Sequence, residues 1–160
     1  MSAKEKKSAV SAENIIATNR KAHFEYEILE KFEAGLSLVG SEVKSLRNRD
    51  VSIAEAFARP KDDELWLLGM NIKTYQQANV RNHEPLRPRK LLLHRREIEK
   101  MTGKVAERGF TLIPLLLYWK HGIAKVLIAV ARGKRQFDKR ESIKKREADR
   151  EIRRERGRRR

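Results

Sequence analysis

The chain has 160 residues, and its 38 Lys and Arg outnumber its 22 Asp and Glu to give a formal net charge of +16. An excess of this size favours a polyanionic partner, either a nucleic acid or an anionic membrane surface. The absence of cysteine excludes disulfides and cysteine-ligated zinc. The N-terminus has no signal-peptide core, and the longest apolar run, LIPLLLYW (112–119), is too short to cross a bilayer, so we expect a cytoplasmic protein.

The first quarter of the chain predicts a flexible start followed by two strands. Residues 1–18 are small, polar and basic, and we expect them to be flexible. The segment HFEYEIL (23–29) alternates apolar and polar side chains, which is typical of a half-buried strand. FEAGLSLVG (32–40) predicts a second strand with Gly35 at a bulge or bend. Two strands this close along the chain predict a hairpin.

The middle of the chain changes its hydrophobic period. SIAEAFAR (52–59) has the S-x-x-E spacing of a capping box and an apolar stripe, which predict a short helix that ends at Pro60. ELWLLGMNIKTY (64–75) predicts a strand. QQANVRNHEPLRPRK (76–90) is a long polar loop with two prolines, and loops of this length are usually functional or mobile.

Two long apolar strands follow a second predicted helix. HRREIEKMTG (94–103) predicts a short helix that ends at its glycine. FTLIPLLLYW (110–119) and IAKVLIAVA (123–131) predict strands joined by a tight hairpin turn at 120–122. Residues 19–131 are therefore predicted to form a mostly β domain, a small antiparallel barrel with two short helices.

The C-terminal segment 132–160 differs in composition from everything before it. It holds 15 Lys and Arg against 6 Asp and Glu and has few apolar side chains. Pairs spaced i,i+4, such as Glu141 with Lys145, support a helix by only about 0.2–0.5 kcal/mol each. We expect a basic tail that is disordered or a fraying helix when alone, and that becomes ordered against a polyanion.

No arrangement of residues in the sequence indicates catalysis. The side chains considered are the four histidines and one acidic pair: His23, His83, His94, His121, Asp62 and Asp63. No two histidines have metal-ligand spacing, and no Gly-rich phosphate loop occurs. We therefore expect no enzyme activity, no metal site and no cofactor.

Basic clusters favour nucleic acid over a membrane. They lie at 47–50, 81–90 and 131–140, beside predicted loops and strand ends. Phe137 lies within the last cluster, where it either stacks on a base or anchors the tail to the barrel. The tail lacks the bulky apolar face that an interfacial membrane helix needs. We expect an RNA partner and no membrane partner.

Several segments together resemble one family. They are NRKAHFEYEI, FEAGLSLVGSEVKSLR, RKLLLH, GFTLIPLLLYWK and ARGKRQFDKR. In this order and spacing they resemble small protein B, the bacterial transfer-messenger RNA-binding (SsrA-binding) family, over about residues 19–146. The resemblance implies an oligonucleotide-binding-type barrel. It also implies binding to the tRNA-like domain of transfer-messenger RNA and delivery of that RNA to stalled ribosomes in trans-translation. The tail would enter the decoding centre and the empty mRNA channel.

The resemblance also implies two sets of functional residues. The set expected on the RNA-binding face consists of Asn19, Arg20, Lys21, Glu33, Lys90, Leu92 and His94. The set expected to act in the tail on the ribosome consists of Gly133, Lys134, Phe137, Asp138, Lys139 and Arg140. His94 and Phe137 depart from the family, which often has Asn and His at these positions. A monomer is expected. The alternative is a ribosomal RNA-binding or ribosome-assembly protein built on the same barrel.

Overall fold

The computed structural model of the chain describes residues 10–78 and 81–158. The strands in these ranges are β1 Ile15–Thr18, β2 Tyr26–Leu36, β3 Val51–Ser52, β4 Phe57–Lys61, β5 Glu64–Leu68, β6 Asn71–Ile72, β7 Arg89–Leu92, β8 Phe110–Lys120 and β9 Ile123–Gly133. The helices are α1 Ala22–Glu25, α2 Gly40–Arg47, α3 Arg95–Ala106 and α4 Gln136–Arg158.

Six of the strands close into an antiparallel barrel. The main sheet has the order β1-β8-β4-β5-β7-β2-β9, and β8 also pairs with β9, so the two ends of the sheet meet. The strand β1 adds to β8 from outside the closed ring. Closure leaves few unpaired strand edges. The fold prediction of a mostly β, small antiparallel barrel is confirmed.

The barrel interior is filled by inward-facing aliphatic side chains. Those that have no exposed surface include Leu65, Leu67, Leu112, Leu117, Val126 and Ile128. The helices α2 and α3 each add one fully buried side chain to this core, Leu46 and Met101. Because the interior is packed, binding has to use the outer surface.

A second, smaller apolar cluster lies on the outer side of the β8–β9 hairpin. It contains Ala22, Ile113, Leu115, Ala129 and Ala131. Ala22 belongs to α1, so this short helix packs against the outside of the barrel. The cluster therefore fixes the position of α1 beside the last strand.

The two long strands β8 and β9 form as predicted. They pair over most of their length, and the tight turn contains His121 and Gly122, both with positive φ (50° and 72°). Two consecutive residues with positive φ match the right-handed twist of a hairpin. The same geometry joins β4 to β5 at Asp62 and Asp63 (φ 52° and 58°). The acidic pair Asp62 and Asp63 therefore forms a hairpin turn.

The predicted hairpin in residues 23–40 is wrong. Residues 22–25 form the turn of α1, and β2 then runs without interruption for 11 residues. A register shift between Ile28 and Glu30 lets β2 stay paired with β9 along its length. Gly35 lies within the paired strand, and residues 40–47 form α2. Glu42 starts that helix by accepting a hydrogen bond from the Val39 N–H at 2.9 Å.

The predicted helix at 52–59 is also wrong. Residues 51–52 pair with β6, and residues 57–61 pair with β5. Burial alternates along β4, where Ala58 is buried between the exposed Phe57 and Arg59. The pairing of β4 with β5 therefore outweighs the helix propensity of this segment, whose apolar stripe spans only two helical turns.

Other boundaries also differ from the predictions. The strand β5 ends at residue 68, α3 continues through Gly103 to Ala106, and β7 begins inside the predicted loop. The predicted flexible segment 1–18 includes a 3-10 turn (Ala12–Asn14) and β1, while residues 1–9 lie outside the described ranges. The tail forms one helix of 23 residues.

Candidate nucleic-acid interface

Asn19 is the first residue of the turn that leads from β1 into α1. It is only 5% exposed, and its Nδ2 donates to the Pro114 carbonyl at 3.1 Å. Its Oδ1 accepts from the Ala22 N–H at 3.2 Å, at the start of α1. Both ends of the amide are therefore used inside the protein, and Asn19 positions its neighbours. Arg20 and Lys21 follow it and are exposed, with Lys21 Nζ 3.3 Å from Glu55.

The register of the sheet connects this turn to Glu33. Thr18 pairs with Leu116, Leu116 pairs with Leu127, and Leu127 pairs with Glu33. Directly paired residues lie on the same face of a sheet. The four therefore form one row on the outer face, and its ends are about 14 Å apart at three strand spacings. This row is wide enough for a nucleic-acid backbone to contact both ends.

Glu33 is held in a network at one end of that row. Its carboxylate accepts hydrogen bonds from the Tyr118 hydroxyl and from Lys120 Nζ, the latter at 2.9 and 3.0 Å. Burial alone would raise the pKa of Glu33, but the hydrogen bonds from Tyr118 and Lys120 and the charges of Lys120 and Lys125 outweigh it and lower the pKa. Glu33 therefore stays ionised and can accept a further hydrogen bond from a base or a 2′-hydroxyl.

The same face continues onto β7. Gly35 follows Glu33 by two positions, so it shares the outer face, and it pairs with Leu92. A Cβ at residue 35 would lie only 3.2 Å from the Leu92 Cβ, so glycine permits this close approach. Leu92 is 51% exposed. Glu33, Leu92 and the cation Lys125 opposite Gly35 therefore form a contiguous group, which we call the Glu33 face.

The remaining predicted RNA-binding residues flank the Glu33 face. Lys90 lies on the outer side of β7 and forms an ion pair with Glu64. His94 precedes α3, and its backbone N–H donates to the Glu97 carboxylate at 3.1 Å. His94 is therefore the N-cap of α3, which fits its predicted place at a helix start.

The tail residues lie elsewhere. Gly133 ends β9 opposite Tyr26, seven positions before Glu33 along β2, which corresponds to about 23 Å of extended strand. Lys139 and the flanking Asp138 and Arg140 lie in the first two turns of α4 and fill no part of either apolar cluster. The side chain of Phe137 is outside the described part of the structure. The structure thus separates the Glu33 face from the root of the tail, whereas the Asn19 turn lies close to that root, because Lys134 contacts α1.

Gly133 does not need the conformational freedom of glycine. Its φ is not among the positive values, and nothing lies within 4 Å of a Cβ built there. The tail instead starts with Lys134, whose backbone N–H donates to the Glu25 carbonyl at 2.9 Å and so extends the β2–β9 pairing. In this structure the chain therefore passes from β9 into the tail without a left-handed residue at position 133.

Two of the four histidines have structural roles. His83 is 7% exposed, with Nδ1 2.9 Å from Ser41 Oγ and Nε2 3.0 Å from the Ile72 carbonyl. Because a carbonyl only accepts, Nε2 donates there and Nδ1 accepts from the serine hydroxyl in the neutral ring. His83 therefore fixes the long loop to α2, and His121 forms the hairpin turn.

Sequence reasoning missed the partners of Glu33. Tyr118 and Lys120 are 85 and 87 positions away, and they reach Glu33 only because β8 and β2 are both neighbours of β9. The alternation of LLLYWK carried a signal for their shared face, since positions 118 and 120 are two apart. The sequence did not indicate which strand they would face.

Neither a metal site nor a membrane span occurs in the described ranges. Across residues 10–78 and 81–158, no group of three or more His, Asp or Glu side chains is placed to hold a metal ion. Within the same ranges, no helix combines the length and the apolar character needed to cross a bilayer.

A closed antiparallel barrel with a strongly basic helical extension defines a small nucleic-acid-binding module. A family model described as "SmpB protein" matches residues 16–158. The SsrA-binding protein of Levilactobacillus brevis is 52% identical over 147 residues, covering 92% of this chain and 94% of that protein. The SsrA-binding protein of Carboxydothermus hydrogenoformans is 54% identical over 140 residues, covering 88% and 94%.

A solved structure agrees with these sequence matches. It is described as "tmRNA-SmpB: a journey to the center of the bacterial ribosome". Its matching chain is 46% identical, with a TM-score of 0.64, and the match covers 79% of this chain and 93% of that chain. The chain therefore belongs to the SmpB family, and the resemblance drawn from its motifs is confirmed.

Proposed function

We propose that this protein binds the tRNA-like domain of transfer-messenger RNA and delivers it to stalled ribosomes for trans-translation. The family match extends from β1 to the end of α4 and so includes both the Glu33 face and the tail. Relatives that share half of its residues are named SsrA-binding proteins, and a matching solved chain comes from work on tmRNA, SmpB and the ribosome.

The separation of the Glu33 face from the root of the tail supports a function with two distinct contact surfaces. The Glu33 face and the root of the tail lie about 23 Å apart along one strand pair of a packed barrel. A rigid body with two separated surfaces can hold an RNA on one side while its tail reaches a second partner. We propose that residues 19–131 bind the RNA and that residues 132–160 enter the decoding centre and empty mRNA channel, with the protein acting as a monomer.

The chemistry of the tail fits a vacant RNA-lined channel. Its described residues expose cations on every side, and its two isoleucines, Ile143 and Ile152, are 42% and 49% exposed. Such a helix gains little from packing on protein but releases counterions on meeting phosphates. A channel already filled by mRNA would exclude the tail, so the protein would select stalled ribosomes because their mRNA channel is empty.

The test measures two activities of the same variants: binding to the tRNA-like RNA and peptide tagging on stalled ribosomes. The triple variant Asp138→Ala, Lys139→Ala and Arg140→Ala should leave folding and RNA binding intact and abolish peptide tagging on ribosomes stalled on a truncated mRNA. A second triple variant, Lys104→Ala, Glu107→Ala and Arg108→Ala, removes the same net charge from the end of α3 and should tag normally. Normal tagging by the first variant would refute tail entry.

A truncated chain separates the two regions further. Ending the chain after Ala131 would remove the ion pair of Arg132 with Glu27 and the pairing of Gly133 with Tyr26. Ending it after Arg135 keeps those contacts and removes α4. We expect the truncated protein to keep its preference for the tRNA-like RNA. If the shortened chain prefers ribosomal RNA fragments instead, the ribosome-assembly alternative is favoured.

A further inference from the structure

An open cleft separates β1 from β3, and we call it the β1–β3 cleft. Its volume is about 470 Å³, with residues 15–18 on one side and residues 51–54 on the other. Within the described residues, β1 pairs only with β8 and β3 only with β6, so each strand turns an unpaired edge towards the cleft. Among the described residues that line it, Arg20 and Arg49 are the only charged side chains. The cleft therefore offers two cations and backbone groups without strand partners.

Arg49 occupies a backbone position after α2 that usually belongs to glycine. The Asp50 N–H donates to the Ser45 carbonyl at 3.0 Å, and the Arg49 N–H donates to the Leu46 carbonyl at 2.9 Å, which is the Schellman pattern at a helix end. The φ of Arg49 is 59°, in the left-handed region that strains a side chain. The other described non-glycine residues with positive φ are Asp and His, which tolerate this region better. Local folding therefore disfavours an arginine at position 49.

The guanidinium of Arg49 is held beside the β1–β3 cleft. Its Nη2 donates to the Glu13 carbonyl at 3.2 Å, in the 3-10 turn that precedes β1. This bond positions the guanidinium and uses one of its five N–H donors. Two carboxylates next to the cleft in sequence, Asp50 and Glu55, are each paired with a lysine. The remaining donors of Arg49 are therefore available to a ligand.

Arg20 supplies the second cation from the turn that follows β1. It is exposed and, like Arg49, lines the cleft. The planar fork of a guanidinium matches the oxygens of a phosphate group, and both arginines stay charged at every physiological pH. Backbone N–H groups on a strand edge add donors for the same oxygens. The chemistry of the cleft therefore fits a phosphate group.

The β1–β3 cleft lies within reach of an RNA bound at the Glu33 face. Thr18 lines the cleft and is one end of the row of paired residues that ends at Glu33. Three strand spacings, about 14 Å, separate the two ends. An RNA that extends along this row from Glu33 therefore brings its backbone to the cleft.

We propose that the β1–β3 cleft binds a backbone phosphate of the same RNA that contacts the Glu33 face, with Arg20 and Arg49 as the residues that hold it. The identity of that RNA rests on the proposed function, whereas the phosphate contact rests on the cleft. Such a contact fixes the orientation of the RNA without reading its sequence. It also gives a role to the basic cluster at 47–50, which lies outside the Glu33 face.

Arg49→Gly should weaken RNA binding without destabilising the protein. Glycine suits the left-handed position, so the midpoint of urea unfolding should stay the same or rise. In 0.1 M salt, affinity for the tRNA-like domain of transfer-messenger RNA should fall about eightfold. The slope of log affinity against log salt concentration should become shallower by about 0.9, the value for one lost phosphate contact. Lys61→Gln removes one exposed cation at the far end of β4 and should change neither quantity.

Ethylation of single phosphates in the tRNA-like RNA locates the contact. Ethylation removes the negative charge of one phosphate, so it weakens binding wherever the protein uses that charge. At least one phosphate should interfere when ethylated with the unaltered protein and with Lys61→Gln, but not with Arg49→Gly.

Four results would overturn the proposal. They are an affinity loss in Arg49→Gly no larger than in Lys61→Gln, an unchanged salt slope, identical ethylation patterns, or a lower urea midpoint for Arg49→Gly. The last result would assign Arg49 to the fold through its bond to the Glu13 carbonyl. If the unaltered protein binds the tRNA-like RNA no better than a random RNA of equal length, the proposed function fails instead. Salt slopes measured with the random RNA then still decide whether the cleft holds a phosphate.

Discussion

Glu42 and Arg89, 47 positions apart in the chain, form an ion pair with Nε 2.8 Å from Oε1, and neither side chain is exposed. Arg89 also donates to the Met70 and Pro85 carbonyls at 2.6 and 3.0 Å. Arg87 adds a second cation at 2.8 Å from Glu42 Oε2. This network joins α2 to the long loop before β7, so it holds the strand that bears Leu92.

Removal of one partner should destabilise the protein. Arg89→Met leaves the buried Glu42 carboxylate with Arg87 as its one cation, and it removes the hydrogen-bond donor of the Met70 and Pro85 carbonyls. We therefore expect a loss of about 3–5 kcal/mol in the free energy of unfolding. Urea unfolding measures it. Arg95→Met, which breaks the exposed pair with Glu99, is the control and should cost about 0.5 kcal/mol. Equal losses in the two variants would contradict the structural role of the buried pair.

Acid unfolding should depend on Glu42. Burial would raise its pKa, but the hydrogen bonds from Arg87, Val39 and Arg89 outweigh it and lower the pKa. Its contribution to stability is therefore fully present above the usual value of about 4.3 and is lost as the pH falls through the lowered value. Below pH 4.3, wild-type stability should fall more steeply than that of Glu42→Gln. If stability falls with pH equally steeply in wild type and in Glu42→Gln, the acid sensitivity does not come from Glu42.

Glu33→Gln should reduce RNA discrimination without unfolding the protein. Glu33 is about one-third exposed, so its ion pair with Lys120 adds little stability. Loss of one base or sugar contact should lower the preference for the tRNA-like RNA about tenfold, while nonspecific binding tightens because a negative charge is gone.

Glu27→Gln is the matched control for that prediction. Glu27 is also on β2 and paired with a cation, Arg132, but it lies near the root of the tail. Loss of the Glu27 charge should tighten nonspecific RNA binding and leave the preference for the tRNA-like RNA unchanged. If both variants behave alike, Glu33 contributes only charge and solubility to the face.

Gly35→Ala should disturb the Glu33 face through Leu92. The added Cβ would lie 3.2 Å from the Leu92 Cβ, so one of the two strands has to shift, at a cost of about 1–3 kcal/mol. RNA affinity should fall with it. Gly133→Ala, on the paired strand with open space around it, should change stability by less than about 0.5 kcal/mol. If Gly35→Ala changes stability as little as Gly133→Ala does, Leu92 can move away from the added Cβ without cost.

The parts of the fold that the sequence predicted well are those set by local patterns. The β8–β9 hairpin has two long apolar runs around a turn that allows positive φ, and α3 starts at a residue with a glutamate three positions later. The apolar residues of segment 52–59 are spaced as in a helix, but the segment ends in a strand. Its pairing with β5 decides in favour of the strand. Local reasoning could not supply that partner.

The candidate site was predictable only in part. The motifs indicated Glu33, Leu92 and Asn19, but the sequence did not reveal that both the Nδ2 and the Oδ1 of Asn19 form hydrogen bonds inside the protein. Nor did it reveal that Arg146 lies over Phe24, because 122 positions separate them and neither lies in a shared local pattern. Long-range pairing of strands determines these relationships, and a single sequence does not encode them visibly.

The identity of the bound RNA tests the central claim most directly. The protein should be purified from its native host under mild salt, and the RNA that remains bound should be sequenced. We predict one dominant small RNA with a tRNA-like domain, retained in the chain that ends at Arg135 and depleted in Glu33→Gln. A broad mixture of ribosomal RNA fragments, with no enriched tRNA-like species, would contradict the proposed function.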